Sequence, residues 1–478
     1  METELHLLKL QIYWRIIINM KNKRLIGIVI LPVIIILVIL VGIISMKKPE
    51  LSHNNLIIYM NHTADISIRN YDKECIWTSD DTNICMVLNG HITPKNAGKT
   101  FIRCELENGE ILSCEVEILE SLSDIYREYA KKEVEWLESL QLSDGSFSCY
   151  EIEENMPVRI NPYFSCYASI AIMRNDYKNV KSTQIEQFIN WYFSHMNTSY
   201  DVKGSVGTIY DYEAYVEDGK VISESSKDTY DSADSYAALF LMILQEYNNK
   251  YKSDEIIIDN KEKIDMLTDL LLVLQLDCYT ESKRNSGTKY LMNNMEAYKG
   301  FQSALDIYLT IWPDDERINK LTKAISGFED NFSKMWINDD YYYSVLDENN
   351  NSFYEDRMDW EELYVFAIPQ LFPVMFDITK PVDDINQKVY NKFCEYWNWQ
   401  EMDFKNQSKA NTTWSLIFYA AVKMNDYQSA DSYLEYFRDN ITDRGYPYYL
   451  SDSAWIVLGC EEAYQYFYDL ESKYMLQH

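Results

Sequence analysis

The sequence predicts a multidomain chain in three parts: an N-terminal transmembrane helix, a small all-β sandwich and a large all-α toroid of the (α/α)6 kind. Three observations carry this. Residues 25–46 form a run of 22 residues without a charge. Between 55 and 119, apolar and polar residues alternate in short stretches separated by turn residues. From residue 122 onward the apolar period lengthens to that of a helix.

Composition agrees with a folded chain. A length of 478 residues suggests about three domains at roughly 150 residues each. With 47% hydrophobic residues, 40 Tyr and 11 Trp, core material is ample and disorder is excluded. Only 14 Gly and 10 Pro argue against an all-β protein built on many tight turns. A net charge of −31 repels phosphates and excludes non-specific nucleic-acid binding. Six His and no Cys-x-x-Cys make a structural zinc site unexpected. No metal and no cofactor are expected.

The run 25–46 is long enough to cross a bilayer at roughly 20 residues per span. Arg15, Lys21, Lys23 and Arg24 precede it, so residues 1–24 are expected as a basic cytoplasmic stub and the remainder as extracellular. The expected location is the cell membrane, single-pass, with the lipid bilayer contacted through 25–46. A cleaved signal peptide is the alternative; its apolar core would be about 7–15 residues before a small-x-small site, whereas this run is longer and ends in IISMKK. Residues 51–478 carry 37 basic and 72 acidic residues, a net −35. Nine Cys then allow two readings: disulfides, which an exterior location permits, or buried small apolar residues.

Residues 51–120 read as six short strands, with turn signals at 79–81, 89–90, 96–98 and 108–109. The segment 77–118 resembles the bacterial Ig-like domain of group 2 through Trp77, Gly90, Ile92, Ala97 and Gly98. The resemblance implies Trp77 as a plug between two sheets and a spacer or adhesive role without chemistry.

Residues 122–478 show twelve helical stretches of two alternating kinds. One kind is amphipathic, as in 184–196, 261–276 and 318–336. The other mixes small with apolar residues: 162–173, 231–244, 294–309, 358–372, 411–422 and 451–464. Small side chains let helix axes approach, and apolar residues on most faces mean burial on most sides. Six buried helices alternating with six outer ones make a double ring, with a looser helical solenoid as the alternative. This arrangement resembles the six-hairpin glycosidase-like superfamily, which implies a carbohydrate-active domain. The QLSDGSF turn within 136–147 is also similar to a turn of terpene cyclases, but it occurs once and reads as a link between helices.

In such a ring the loops entering the inner helices share one face: 141–162, 198–230, 279–293, 337–358, 399–410 and 441–451. Four are rich in Tyr and Trp, which suits stacking on sugar rings, while Asp and Glu suit hydroxyls. Glycoside hydrolysis needs two carboxyls, one as acid and one as base or nucleophile. Asp234 and Asp231, three apart at a helix opening, are the first candidates, with an N-cap as the other reading of Asp231. Asp359 and Glu361 come next, then Glu296. Expected substrate-binding residues are Tyr210, Asp211, Tyr212, Tyr236, Trp360, Trp414, Tyr446, Asp452 and Trp455. The expected partner is a surface or extracellular polysaccharide whose glycosidic bonds are hydrolysed. Two alternatives stand beside this: a non-catalytic glycan-binding adhesion protein, and a lyase using Tyr210, Tyr212 or Tyr446 with Arg444.

Overall fold

The computed structural model describes residues 48–152, 156–175, 182–338, 340–354, 357–378, 384–397, 399, 414–441, 444 and 448–477. The expected stub and anchor, 1–24 and 25–46, lie outside the described residues. Among the described residues no helix is long and apolar enough to cross a membrane. The chain divides into two compact units, one of residues up to Ser121 together with Glu471 onward, the other Leu122–Leu470.

The smaller unit is a β-sandwich. Its strands are β1 (Glu50–Leu51), β2 (Asn55–Tyr59), β3 (Ala64–Asp65), β4 (Ile68–Arg69), β5 (Cys75–Ser79), β6 (Cys85–Leu88), β7 (His91–Pro94), β8 (Gly98–Leu106) and β9 (Ile111–Leu119). One sheet has the order β2-β9-β8-β5, the other β3-β7-β6, and β1 pairs with β4. β8 and β9 alternate strictly, so Thr100, Ile102, Cys104 and Leu106 point inward while their neighbours face water. Ile58, Ile92, Ile102, Cys104, Cys114 and Val116 fill the centre. Trp77 is only half-buried, because β5 is the edge strand of its sheet and its ring packs at the margin of the core.

All nine thiols are free. Seven of them are buried, and burial pushes Cys104 up to about 12 and Cys114 up to about 11. These cysteines pack as small apolar side chains.

The larger unit is a helical ring. Its main helices are α1 (Leu122–Ser139), α2 (Pro162–Arg174), α3 (Ser182–His195), α4 (Ala233–Tyr251), α5 (Lys261–Leu274), α6 (Leu291–Ile311), α7 (Arg317–Phe332), α8 (Phe372–Met375), α9 (Ile385–Tyr396), α10 (Ser415–Lys423), α11 (Tyr427–Asn440) and α12 (Leu450–Gln477), the last running on past Leu470, where this unit ends. The even-numbered helices are the inner set. α4 is buried almost all round from Ala233 to Leu244, whereas α7 buries only one stripe, Leu321, Ala324, Phe328 and Phe332. The ring closes where α12 meets both α10 and α2: Trp455 lies 5.8 Å from the Tyr419 ring and 4.2 Å from the Tyr167 ring.

Small residues set the spacing of the inner helices. A Cβ on Gly300 of α6 would stand 2.5 Å from both Cα and Cβ of Ala238 on α4, so these helices touch backbone to backbone.

Two features depart from the sequence reading. The fourth inner segment opens as a π turn, Leu363–Ala367, and a 3-10 turn, Ile368–Leu371, before α8. Pro369 and Pro373 each lack an N–H, so a regular α-ladder cannot run through them. The aromatic loops also build a three-stranded antiparallel sheet, β10 (Pro157–Ile160), β11 (Tyr212–Glu217) and β12 (Lys220–Ser226). Its hairpin turns on Asp218 and Gly219, both with positive φ, and this Asp-Gly between alternating runs was the sequence signal for it.

Candidate active site

Four carboxyls from three segments gather at the N-terminal ends of α2, α4 and α6. They form an inner and an outer pair.

The inner pair is Asp234, on the first turn of α4, and Glu296, the sixth residue of α6, both buried. Asp234 accepts hydrogen bonds from the Thr280 hydroxyl (2.8 Å), the Asn293 amide (3.0 Å) and the Ser235 N–H (2.9 Å). Thr280 is fixed in turn by Asn294, whose Oδ1 accepts its N–H at 2.7 Å. Glu296 accepts from the hydroxyls of Tyr163 (2.7 Å) and Tyr167 (2.5 Å), both on α2. No lysine or arginine pairs with either carboxyl among the described residues. Burial raises Asp234 to about 6, against the pull of its donors. Burial raises Glu296 to about 7, and the negative charge of Asp234 adds to it.

The outer pair is Asp211 and Asp231. Asn161 is the N-cap of α2: its Oδ1 accepts the Phe164 N–H, and Pro162 follows at the first helical position. That leaves its Nδ2 to donate to Asp211 Oδ1 (3.0 Å), which also accepts from Tyr236 OH (2.9 Å). The other oxygen, Oδ2, has Arg159 at 3.7 Å, and the side chain keeps 13% of its surface open. Burial raises the Asp211 pKa; Tyr236, Arg159 and Asn161 oppose it, and the charge of Asp231 reinforces it. Asp231 stands just before Ser232, the N-cap position of α4, and is exposed. Tyr290, 39% exposed, and Tyr364, 68% exposed, lie within electrostatic reach of Asp231.

The remaining sequence candidates fall elsewhere. Asp359 pairs with Arg357 (2.8 Å) and accepts the Glu361 N–H (3.2 Å), a turn-forming role on the loop, and Glu361 is exposed beside it. Trp360, Trp414 and Trp455 are buried: Trp360 stacks 5.9 Å from Tyr396, Trp414 tilts against Trp397, and Trp455 packs between Tyr167 and Tyr419. Tyr210 accepts the Val202 N–H and stacks on Tyr230, while Tyr212 packs edge-on against Trp191 and His195. Asp452 accepts the Tyr449 N–H (2.9 Å) at the start of α12. Arg444 is tied to buried Glu133, which also accepts from Tyr448 and Ser453. Tyr446 lies outside the described residues.

Sequence reasoning missed Asn161, Arg159, Tyr163, Tyr167, Thr280, Asn293, Tyr290 and Tyr364. Only Asn161 carried a readable signal, as Asn-Pro opening an inner helix. Among the described residues no group of His, Cys, Asp and Glu is arranged to hold a metal ion.

No family model and no curated protein matches the sequence. Solved structures superpose on it at low identity. They include a novel alpha-amylase from Clostridium perfringens (10% identity, 70% of this chain and 98% of that one, TM-score 0.45). An endoglucanase of glycosyl hydrolase family 8 from Klebsiella pneumoniae follows (9%, 70% and 99%, TM-score 0.40). A family 76 glycoside hydrolase from a bovine Bacteroides thetaiotaomicron strain is a third (11%, 88% and 100%, TM-score 0.40). At this level of identity and superposition these likenesses assign neither family nor activity.

Proposed function

We propose that the helical ring hydrolyses glycosidic bonds of a polysaccharide, with Asp211 as general acid and Asp231 as base or nucleophile. The observation that supports this is the outer pair itself. Asp211 is held toward its protonated form by burial and by the charge of Asp231, and its side chain keeps 13% of its surface open. When the proton passes to the leaving oxygen, Arg159 stands near enough to stabilise the carboxylate left behind. Tyr290 and Tyr364 offer exposed ring faces for sugar stacking. Asp234 and Glu296 hold the tyrosines and asparagines in place from beneath.

A non-catalytic glycan-binding role is the second reading. It is favoured by one observation: the two carboxyls with the largest upward shifts are out of contact with water and already bonded to protein groups. In either reading we infer a membrane anchor over 25–46 with the later residues outside, a proposal supported by the charge-free run and its basic flank.

The test uses the full-length chain in detergent on a panel of exopolysaccharides and cell-wall glycans, with products weighed by mass spectrometry. Hydrolysis takes up one water for each bond cleaved, whereas elimination takes up none. Loss of cleavage in both Asp211→Asn and Asp231→Asn supports the assignment. Binding without cleavage across the panel, unchanged in both variants, replaces it with the adhesion reading.

A further inference from the structure

The three-stranded sheet beside the carboxyl cluster has two unlike faces. Side chains alternate along each strand, and directly paired residues share a face. Val158 and Ile160 of β10, with Ala214 and Tyr212 of β11, make the inner face and are buried in the core of the ring. Pro157 and Arg159, paired with Tyr215 and Glu213, make the outer face. The ladder runs on beyond β11: the Asp211 N–H donates to the Thr229 carbonyl and the Asp211 carbonyl accepts the Lys227 N–H, both at 2.8 Å. Asp211 therefore continues the outer row, in keeping with its approach to Arg159 at 3.7 Å. One line of side chains leads from the carboxyl proposed as acid, past Arg159 and Glu213, to Tyr215.

The far end of this line is open. Tyr215 is 49% exposed, and among the described residues its ring meets no other ring or cation and its hydroxyl makes no hydrogen bond. At roughly 3.4 Å per residue it stands about 14 Å along the strand from Asp211, the length of about two to three linked sugar rings. The charges between are answered within the protein: Glu213 pairs with Lys227 at 2.7 Å, and Asp211 has Arg159. Such a row leaves no charge over for an ionic ligand, and the net −31 repels polyanions. Arg159 and Glu213 are both partly exposed and suit hydroxyls as donor and acceptor, while the open Tyr215 ring suits a sugar's C–H face.

Tyr290 and Tyr364 stand on the other side of the carboxyl pair. The sheet leads into α2 and α4, whereas Tyr290 directly precedes α6, the next inner helix round the ring, and Tyr364 belongs to the segment before α8. Aromatic faces thus flank the pair on both sides.

We propose that a neutral polysaccharide chain lies along the outer face of the sheet and across the carboxyl pair, and is cut in its interior, with Tyr215 stacking on a sugar remote from the cleaved bond. The inference rests on the hydrolase reading and makes its substrate a chain rather than a terminal sugar.

The test uses the full-length chain in detergent on a neutral glycan of the panel, intact and as size-fractionated oligosaccharides, with products sized by mass spectrometry. Early products should span many lengths. Tyr215→Ala should lower the kcat/KM preference for long chains over trisaccharides by about tenfold, through KM. Tyr215→Phe keeps the ring and should keep the preference, and thermal melting checks that both variants fold. Release of single sugars or disaccharides from the start, or a preference equal in wild type and folded Tyr215→Ala, would overturn the proposal and leave the hydrolase reading standing. Cleavage confined to charged glycans would overturn the neutral chain. Binding without cleavage would remove the hydrolase reading and the interior cut; the affinity of Tyr215→Ala, lower than wild type or equal to it, would then keep or remove the sheet as the binding face. A panel neither bound nor cut would remove both readings.

Discussion

The two ends of the inner helices treat carboxylates in opposite ways. At the N-terminal ends, Asp211, Asp234 and Glu296 meet hydroxyls, amides and N–H groups, with Arg159 the nearest cation at 3.7 Å from Asp211. Farther down, Glu246 meets Arg174, and Asp377 and Glu462 meet Lys423. A cation beside a carboxyl favours its ionised form, whereas neutral donors only partly offset burial. The first set is therefore pushed toward its protonated form, Asp234 to about 6 and Glu296 to about 7, and the second set serves as structural ion pairs. Proximity of acids is common to both ends. What separates the two ends is counter-charge: Asp234 and Glu296 have no cation partner among the described residues, and Asp211 has Arg159 at 3.7 Å.

The largest expected effect breaks the reactive end. Asp211→Asn and Asp231→Asn should each lower glycan cleavage by about 10²–10⁴-fold, while Asp234→Asn, one layer down, costs less; initial rates on the best substrate of the panel decide this. Next in size is a packing change that leaves both sets of charges alone. Gly300→Ala puts a methyl 2.5 Å from Ala238 and should cost about 1–3 kcal/mol, read as a lower denaturation midpoint.

A comparable effect comes from Glu296→Gln and has a pH signature. Because the folded carboxyl is raised from 4.5 to about 7, the native state holds a proton that the unfolded chain has released between those values. Wild-type stability from this group is fully present below pH 4.5 and is lost as pH rises through 7, a change on the order of 3 kcal/mol. The glutamine does not titrate, so its stability relative to wild type should climb across that window. A constant difference from pH 4 to pH 8 would contradict the raised value.

The smallest effect belongs to the structural end. Lys423→Met frees two partly exposed acids, Asp377 and Glu462, and should cost about 1 kcal/mol or less, with cleavage unchanged. A loss of cleavage there would erase the distinction between the two ends.

Much of the ring was legible in the sequence, since the small-residue helices and the amphipathic ones differ in which faces they bury. The spacing of Gly300 and Ala238 is the structural counterpart of that pattern. The helix expected over 358–372 was misread because apolar periodicity outweighed Pro369 within it and Pro373 just after it. In the site, Asp231, Asp234 and Glu296 were visible as acids opening inner helices. The partners of Asp234 and Glu296, Thr280, Tyr163 and Tyr167, come from other segments, and one chain's order does not say which segments meet. The tryptophans were misplaced for a related reason: Trp360, Trp414 and Trp455 have the same composition signal whether they stack on a ligand or on Tyr396, Trp397 and Tyr167.

The most direct test of the uncompensated end is the titration of Glu296 itself. In ¹³C-carboxyl-labelled protein, its resonance, assigned by its loss in Glu296→Gln, should titrate at about 7. In Asp234→Asn, which removes the neighbouring negative charge, it should titrate lower. A midpoint near 4.5 in the wild type, unchanged in Asp234→Asn, would contradict the account.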